Sequence, residues 1–298
     1  MPARTGKVAI VGRPNVGKST LLNALIGEHL SITSRKPQTT RNRILGVLTR
    51  GEPPASTQFI FVDTPGFQQR RGAADARRMN DAVVAALSDV DAIVLVIDAA
   101  GWRPDDEAVL QLLGHAIGRV VLALNKIDLL SRYENVLPVL RESATRFDFA
   151  ALVPVSAEKR TQLDSLLAEV EKLLPTGEPL FGPDEYTDRS ARFVAAELIR
   201  EKAFRLLGDE LPYGIAVTIE RWDENEARAD IAAGLLVERE SHRPIVIGAQ
   251  GAKLREIGRL ARADIAQMLG KTVHLETWVR VRRKHAAETR TLEAFGYE

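Results

Sequence analysis

Short apolar runs without polar alternation recur through the first half of the chain. Each is rich in Val, Ile or Leu, which is typical of strands buried on both faces. Segments with a helix-like pattern separate these runs, and the alternation predicts an α/β fold built on a doubly wound parallel sheet. The predicted strands are 8–11, 59–62, 92–97, 120–124 and 151–155, and the predicted helices are 19–25, 75–87, 105–113, 136–145 and 163–173.

This alternation stops near residue 174. Residues 175–189 hold three prolines, two glycines and no periodic pattern, which is typical of a linker. The 298-residue chain is therefore predicted to contain two domains, 1–174 and 190–298. The second is predicted as α+β, in the order helix, strand, strand, helix, helix, strand. Its clearest elements are a helix at 190–207, strands at 213–221 and 228–239, a helix near 259–269 and a strand at 272–281.

Composition narrows the class of protein. The 45% of hydrophobic residues is enough for ordinary packed cores, and the chain has no cysteine, which excludes disulfides and thiolate metal sites. No apolar run approaches the roughly 20 residues that cross a bilayer. The N-terminal stretch lacks the apolar region of a signal peptide. We expect a soluble cytoplasmic protein that acts as a monomer.

The first glycine-rich turn, GRPNVGKS at 12–19, fits G-x-x-x-x-G-K-[ST] between a predicted strand and a predicted helix. Gly12 and Gly17 let backbone amides wrap around phosphate oxygens, and the helix N-terminus adds partial positive charge. Lys18 supplies a cation and Ser19 a hydroxyl for Mg²⁺. The predicted binding set in this loop is Gly12, Arg13, Pro14, Asn15, Val16, Gly17, Lys18, Ser19 and Thr20.

Three further loops indicate which nucleotide is bound. Asp63, in VDTPG, is predicted to hold Mg²⁺ through a water, while the Gly66 amide faces the γ-phosphate. In NKID, Asp128 can accept from two guanine donors that adenine lacks, so GTP is expected rather than ATP. Asn125 is expected to brace its loop, the Lys126 stem to lie on the base, and an amide of Ser156–Ala157 to meet guanine O6. The set is Asp63, Thr64, Pro65, Gly66, Asn125, Lys126, Asp128, Ser156 and Ala157.

The polar stretch SITSRKPQTTRN at 31–42 is predicted to order when GTP is bound. Either Thr39 or Thr40 would then complete the Mg²⁺ shell, and we choose Thr40. Ras-like GTPases place a water-orienting glutamine directly after Asp-x-x-Gly, but here that position is Phe67, so hydrolysis is expected to be slow without help. Asn15 is predicted to help hold K⁺ near the phosphates. The predicted catalytic set is Lys18, Thr40, Gly66 and Asn15, and the metal ligands are Ser19, Thr40 and Asp63.

A second glycine turn, GAQGAKL at 248–254, has no Lys-Ser and too few residues between its glycines to encircle phosphates. A plain turn is one interpretation. Its place between two helices, in a segment 242–284 with ten cations and three acids, favours a KH module whose GXXG loop clamps four nucleotides of single-stranded nucleic acid. The predicted RNA-binding set is Ile247, Gly248, Ala249, Gln250, Gly251, Lys253 and Arg255.

With both halves considered, the chain resembles the Era family of bacterial GTPases over essentially its whole length. The specific segments are TDRSARFVAAELIREK at 187–202, ELPYGIAVTIERW at 210–222 and VIGAQGAKLREIG at 246–258. The resemblance implies a GTPase domain, a C-terminal type II KH domain, and binding to the 3′ end of 16S ribosomal RNA during small-subunit maturation. It also implies loose peripheral association with the inner face of the cell membrane, and a hydrophobic residue in place of the glutamine.

Two other functions fit parts of the pattern. An RNA-binding assembly factor that uses GTP as a structural ligand, with negligible hydrolysis, is supported by Phe67. A translation factor stimulated by tRNA or the ribosome would carry β-barrel domains, which the pattern does not predict. The acidic run Asp105–Asp106–Glu107 is interpreted as acids in the first turn of a helix, where the helix dipole favours them.

Overall fold

The computed structural model describes residues 2–31, 44–52, 54–63, 87, 89–114, 116–207 and 215–281. The chain divides into two compact units, Met1–Asp188 and Arg189–Glu298. Apart from Leu87, the predicted helix 75–87 lies outside the described residues.

The first unit is built on a six-stranded sheet in the order β2-β3-β1-β4-β5-β6. Strand β1 pairs in parallel with β3 and β4, and β4, β5 and β6 continue the parallel pairing. The predicted α/β fold is confirmed. The strands are β1 (Arg4–Val11), β2 (Ile44–Arg50), β3 (Thr57–Asp63), β4 (Ala92–Asp98), β5 (Val120–Asn125) and β6 (Ala151–Pro154). The helices are α1 (Lys18–Ile26), α2 (Pro104–Leu112), α3 (Val136–Arg146) and α4 (Leu163–Glu171).

Both faces of this sheet are covered, because successive residues of a strand point to opposite sides. Val8 and Ile10 belong to the apolar cluster that contains residues of α1 and α4. Ala9 and Val11 belong to the cluster that contains residues of α2 and α3. This burial on both faces explains the unbroken apolar runs in the sequence. The polar residues that follow the strands lie at the carboxyl ends of the sheet, where ligands bind in folds of this class.

Strand β2 was missed by the sequence analysis. It pairs antiparallel with β3, from Ile44 opposite Asp63 to Arg50 opposite Thr57. Gly46 interrupts its apolar pattern, and the structure shows why a glycine stands there. A Cβ at Gly46 would lie 2.0 Å from the Ile26 Cδ1 atom and 3.0 Å from that of Leu22, so α1 packs directly against this strand.

The segment predicted as a linker is fastened to the first unit up to residue 188. The Val47 amide donates to the Tyr186 carbonyl at 2.9 Å, and the Thr187 hydroxyl donates to the Leu45 carbonyl at 2.8 Å. The buried Gln58 side chain accepts from the amides of Leu180 and Phe181 at 2.8 and 3.0 Å. Residues 175–188, all of which the structure describes, contain no helix or strand. Their first residues bond to the start of β1, through the Thr5 amide and the Pro175 carbonyl, and only Tyr186 and Thr187 reach the outer edge of β2.

The second unit has the predicted order of elements. They are α5 (Ala191–Leu206), β7 (Ala216–Glu224), β8 (Arg228–Val237), α6 (Arg243–Ile247), α7 (Ala252–Leu269) and β9 (Thr272–Val281). The sheet order is β7-β8-β9, with β7–β8 antiparallel and β8–β9 parallel. The Ser190 side chain caps α5 by accepting from the Phe193 amide at 3.3 Å.

Helix α7 begins at Ala252, well before the predicted start near residue 259. Gly258 lies inside it and weakens the helical pattern, since glycine is a poor helix former. A Cβ at Gly258 would lie 3.3 Å from the Thr277 hydroxyl, so the glycine allows the helix to approach β9 closely. None of the described helices is both long enough and apolar enough to span a membrane.

Candidate functional site

The first glycine turn lies between the end of β1 at Val11 and the start of α1 at Lys18. Gly12 and Gly17 have φ angles of 151° and 99°, and Asn15 has a φ of 64°. A Cβ at Gly12 would lie 2.4 Å from the Val96 carbonyl oxygen, and one at Gly17 would lie 2.4 Å from Asn125 Nδ2. Both glycines are therefore required by close contacts as well as by backbone angle.

The Lys18 ammonium lies against the backbone of this loop. Its Nζ donates to the carbonyls of Gly12 and Arg13, both at 2.9 Å. Burial lowers the pKa of Lys18 to about 8, an effect that the nearby Asp63 carboxylate opposes and the Arg13 guanidinium adds to. A phosphate group offers this buried cation the negative charge that the carbonyls supply only in part.

Ser19 and Asp63 come together as the sequence predicted. The Ser19 hydroxyl donates to Asp63 Oδ2 at 3.3 Å, and Asp63 is fully buried at the end of β3. A hydroxyl and a carboxylate are hard oxygen ligands of the kind that Mg²⁺ prefers. The other predicted ligand, Thr40, lies outside the described residues, as do Thr39, Thr64, Pro65, Gly66 and Phe67.

Ser31 also reaches this carboxylate, although it is not among the predicted site residues. Its hydroxyl donates to Asp63 Oδ2 at 2.6 Å, and only 1% of the residue is exposed. Nothing in the polar run 31–42 separates this serine from the other hydroxyls, so the contact depends on the fold.

The Asn125 side chain joins two loops. Its Nδ2 donates to the Val16 carbonyl at 2.8 Å, and its Oδ1 accepts from the Ala157 amide at 3.0 Å. The Ser156 amide in turn donates to the Thr161 carbonyl at 3.2 Å. Both amides therefore bond to protein groups in this structure, and the contact of one of them with guanine O6 stays a prediction.

Asp128 lies in a 3₁₀ turn, Ile127–Leu129, with its carboxylate exposed. The Ser156 hydroxyl donates to Asp128 Oδ1 at 2.5 Å and accepts from the Lys159 amide at 3.0 Å. This bond orients a carboxylate that two guanine N–H groups could reach. Ser156 thus contacts Asp128 through its hydroxyl.

Lys126 connects the same loop to the first glycine turn. Its backbone is left-handed, with φ 70°, and its Nζ donates to the Asn15 carbonyl at 2.7 Å and to Asp98 Oδ2 at 2.8 Å. Burial of Asp98 favours its neutral form, but the bonds from Lys126 and from the Ala100 amide prevail and lower its pKa. The lysine thus fixes the tip of the loop that carries Asn15.

Arg13 and Asp106 form a buried ion pair that the sequence analysis missed. Arg13 Nε donates to Asp106 Oδ2 at 3.0 Å, and that oxygen also accepts from the Arg103 amide at 3.0 Å. Burial raises the pKa of Asp106, and the Arg13 guanidinium opposes this rise. The Arg13 side chain is therefore engaged with α2. The helical spacing of Asp106 with the buried Val109 places it on the inner face of α2, and this spacing could have revealed it.

The second glycine turn has three left-handed positions within four residues: Gly248, Gln250 and Gly251 have φ angles of 74°, 48° and 76°. With ψ at 176°, Gly248 occupies a region that is essentially closed to other residues. A Cβ at Gly248 would lie 2.8 Å from the Lys253 Cγ atom, whereas a Cβ at Gly251 would enter open space. The loop is thus closed on one side by the Lys253 stem and open at Gly251.

Helix α7 starts immediately after this turn, so its free amides and partial positive charge face the loop. Lys253 and Arg255 are exposed in its first turn, while Arg259 is paired with Glu256 at 2.7 Å. The structure places the whole predicted RNA-binding set, from Ile247 to Arg255, around one loop. This arrangement offers amides and cations to a chain of phosphates.

Comparison with known proteins identifies both units. Residues 7–126 match the family model described as a 50S ribosome-binding GTPase, and residues 210–286 match the KH domain model. The protein called GTPase Era from Bordetella avium (strain 197N) is 54% identical over 99% of this chain and 98% of its own length. The chain belongs to the Era family of GTPases. GTPase Era from Stenotrophomonas maltophilia (strain K279a) is 48% identical over 100% of this chain and 98% of its own length.

Solved structures of Era agree with this assignment. A crystal structure of Era in complex with MgGDPNP and nucleotides 1506–1542 of 16S ribosomal RNA has 40% identity and a TM-score of 0.88, with 99% of each chain covered. A variant of Aquifex aeolicus Era bound to GDP.AlF4- has 40% identity and a TM-score of 0.89, also with 99% of each chain covered. The predicted combination of a GTPase domain with a C-terminal KH domain is confirmed.

We predict that Asp106→Ala destabilises the first unit of this Era-family chain by about 3–5 kcal/mol, because it leaves the Arg13 charge buried without its carboxylate. The double variant Arg13→Met with Asp106→Leu should lose less. Denaturant unfolding measures both. Asp89→Ala is the matched control, since it removes an exposed partner of Lys7 and should cost about 1 kcal/mol or less. A cost for Asp106→Ala as small as that of the control would contradict the assigned role.

We also predict that Asp128→Asn changes the preferred base. Loss of a charged acceptor for two guanine donors should weaken GDP binding by about 2–4 kcal/mol, or roughly 30- to 1,000-fold. The new amide can donate, so xanthosine diphosphate should gain affinity. Equilibrium titration with both nucleotides measures the change, and Asp164→Asn, an exposed carboxylate on α4, is the control. An equal loss of affinity for both nucleotides would show that Asp128 does not select the base and affects only the stability of the fold.

Proposed function

We propose that this chain hydrolyses GTP with Mg²⁺ and couples its nucleotide state to binding of the 3′ end of 16S ribosomal RNA during assembly of the small ribosomal subunit. The observation that carries the coupling is the presence in one chain of two glycine turns, each of which presents left-handed backbone at the N-terminus of a helix. In the first, Lys18 and Asn125 donate hydrogen bonds to the carbonyls of Gly12 and Val16 and so hold the loop in shape. The second, at Gly248–Gly251, is open and lies among cations.

The solved relative bound to MgGDPNP and to 16S ribosomal RNA supports both parts of the proposal. The metal is supported within this chain by the convergence of the Ser19 hydroxyl on the buried Asp63 carboxylate. The residues present therefore fit Mg²⁺, which would neutralise phosphate charge there. The chain's own groups would hold the nucleotide, with Lys18 at the phosphates and Asp128 at the base.

The rival function is an RNA-binding factor that holds GTP without hydrolysing it, which Phe67 favours. Single-turnover hydrolysis, with and without an RNA that ends in the anti-Shine–Dalgarno region, separates the two. We expect the RNA to accelerate hydrolysis, because the proposed function couples the two sites. Absence of hydrolysis under every condition would favour the rival.

Gly251→Asp is the matched variant for this experiment. The backbone at Gly251, with φ at 76°, strains any other residue, but aspartate adopts it more readily than most and its Cβ enters open space, so we expect the fold to persist. Its carboxylate would face the RNA phosphates, and we expect RNA affinity to fall at least about tenfold, which corresponds to about 1.4 kcal/mol. GTP affinity should be unchanged. An unchanged RNA affinity in this variant would show that the second glycine turn does not contact the RNA.

We further propose that K⁺ assists hydrolysis through Asn15, which lies at the left-handed tip of the first loop, where Lys126 holds its carbonyl. We expect faster turnover in K⁺ than in Na⁺ at matched ionic strength, and loss of the difference in Asn15→Ala. Asn135→Ala, an exposed asparagine outside the site, is the control. Equal rates in the two salts would end this part of the proposal.

Cytoplasmic location, a monomeric state and weak contact with the membrane surface stay predictions. The basic segment 242–284 is the feature that supports membrane contact, since cations attract anionic lipid surfaces.

A further inference from the structure

A chain of hydrogen bonds links helix α1 to the Asp63 carboxylate through the start of the polar stretch 31–42. Asn23 Oδ1 accepts from the amides of Leu30 and Ser31 at 3.1 and 2.9 Å. Asn23 Nδ2 donates to the Ser31 carbonyl at 2.7 Å. The Ser31 main chain is thus held on both sides, and its hydroxyl donates to Asp63 Oδ2 at 2.6 Å.

This arrangement is fixed relative to the first glycine turn. Asn23 follows Ser19 by four residues, so the two side chains lie on the same side of α1, one turn apart. The hydroxyls of Ser19 and Ser31 converge on the same oxygen of Asp63, at 3.3 and 2.6 Å. Two donors at one oxygen restrict rotation of the carboxylate about its terminal bond.

Burial makes the Ser31 bond strong. Ser31 is 1% exposed and Asp63 is 0% exposed, so water does not compete for either group. A hydroxyl that donates to a carboxylate at this distance forms a charge-assisted hydrogen bond, about twice as strong as a neutral one. Removing it would leave a buried carboxylate less restrained at the point where it must meet a metal ion.

A second buried serine of the same unit, Ser143, bonds only to groups outside the nucleotide site and serves for comparison. The Ser143 hydroxyl donates to the Val139 carbonyl at 2.7 Å and accepts from Trp102 Nε1 at 2.9 Å. Its partners are a carbonyl within α3 and a ring N–H, and neither belongs to the predicted Mg²⁺ site. Ser31 differs because its partner is the predicted Mg²⁺ ligand.

We propose that Ser31 is a positioning residue for Mg²⁺: it orients the Asp63 carboxylate, and Asn23 holds Ser31 in place. The inference rests on the proposed Mg²⁺-dependent hydrolysis of GTP. On this proposal α1 contributes to the metal site in two ways: Ser19 contacts Asp63 directly, and Asn23 acts through Ser31. Ser31 is then the residue through which the start of the polar stretch contacts the nucleotide site.

The test compares Ser31→Ala with Ser31→Thr, which keeps the hydroxyl. Groups that orient a metal ligand typically contribute 10- to 100-fold to metal affinity. We expect Ser31→Ala to raise the Mg²⁺ concentration for half-maximal hydrolysis by at least about tenfold. With a fluorescent GDP, release in Mg²⁺ should accelerate towards the rate measured in EDTA. The rate in EDTA should be unchanged, and Ser31→Thr should resemble the parent.

Asn23→Ala provides a second, independent variant. It should shift the Mg²⁺ dependence in the same direction, and its effect should not add to that of Ser31→Ala, since both act on one carboxylate. Ser143→Ala is the matched control, because it removes a buried hydroxyl of the same unit and should leave the Mg²⁺ dependence unchanged. Should Ser31→Ala fail to fold, Asn23→Ala and Ser31→Thr decide the matter.

An unchanged Mg²⁺ dependence in Ser31→Ala, or an equal shift in Ser143→Ala, would overturn the inference. So would additive effects of the Asn23 and Ser31 substitutions. A parent protein whose hydrolysis and GDP release both ignore Mg²⁺ would instead overturn the proposed function, so the two failures can be told apart.

Discussion

The nucleotide site depends on one buried amide side chain, that of Asn125. Loops that follow three different strands must be held at fixed distances before any ligand arrives, and backbone pairing alone does not reach across them. Asn125 ties the loop after β1 to the loop after β6 by using its donor and its acceptor at once. Its closeness to Gly17 leaves no space there for a Cβ, so the asparagine and the glycine depend on each other.

The two glycine turns share a backbone conformation but differ in how much protein surrounds them. In each, left-handed positions free the backbone to present amides at the N-terminus of a helix. Side chains from elsewhere in the sheet surround the first turn, and this suits a ligand that must be enclosed. At the second turn the space beside Gly251 is open, and this suits a polymer that passes through.

Sequence reasoning was most successful where a single physical constraint controls the residue pattern. Strands buried on both faces must be apolar throughout, so β1, β4 and β5 were recognisable. It failed where close packing between two elements requires a glycine, which weakens the local pattern of its own element. Gly46 weakens the pattern of β2 because α1 needs the space, and Gly258 hides the start of α7 because β9 lies close to it. Pairing across the fold was harder to predict: helical spacing places Asp106 on the inner face of α2, but no local pattern names Arg13 as its partner or joins Ser31 to Asp63.

The path of residues 175–188, from β1 past β3 to the edge of β2, bears on where the first unit can be cut from the chain. An edge strand that keeps its unpaired amides and carbonyls exposed invites pairing with another chain. A fragment that ends at 174 would lose the hydrogen bonds that Leu45, Val47 and Gln58 make with this segment. Its surface would then present the uncovered edge of β2. A fragment that ends after Asp188 would keep the strand covered.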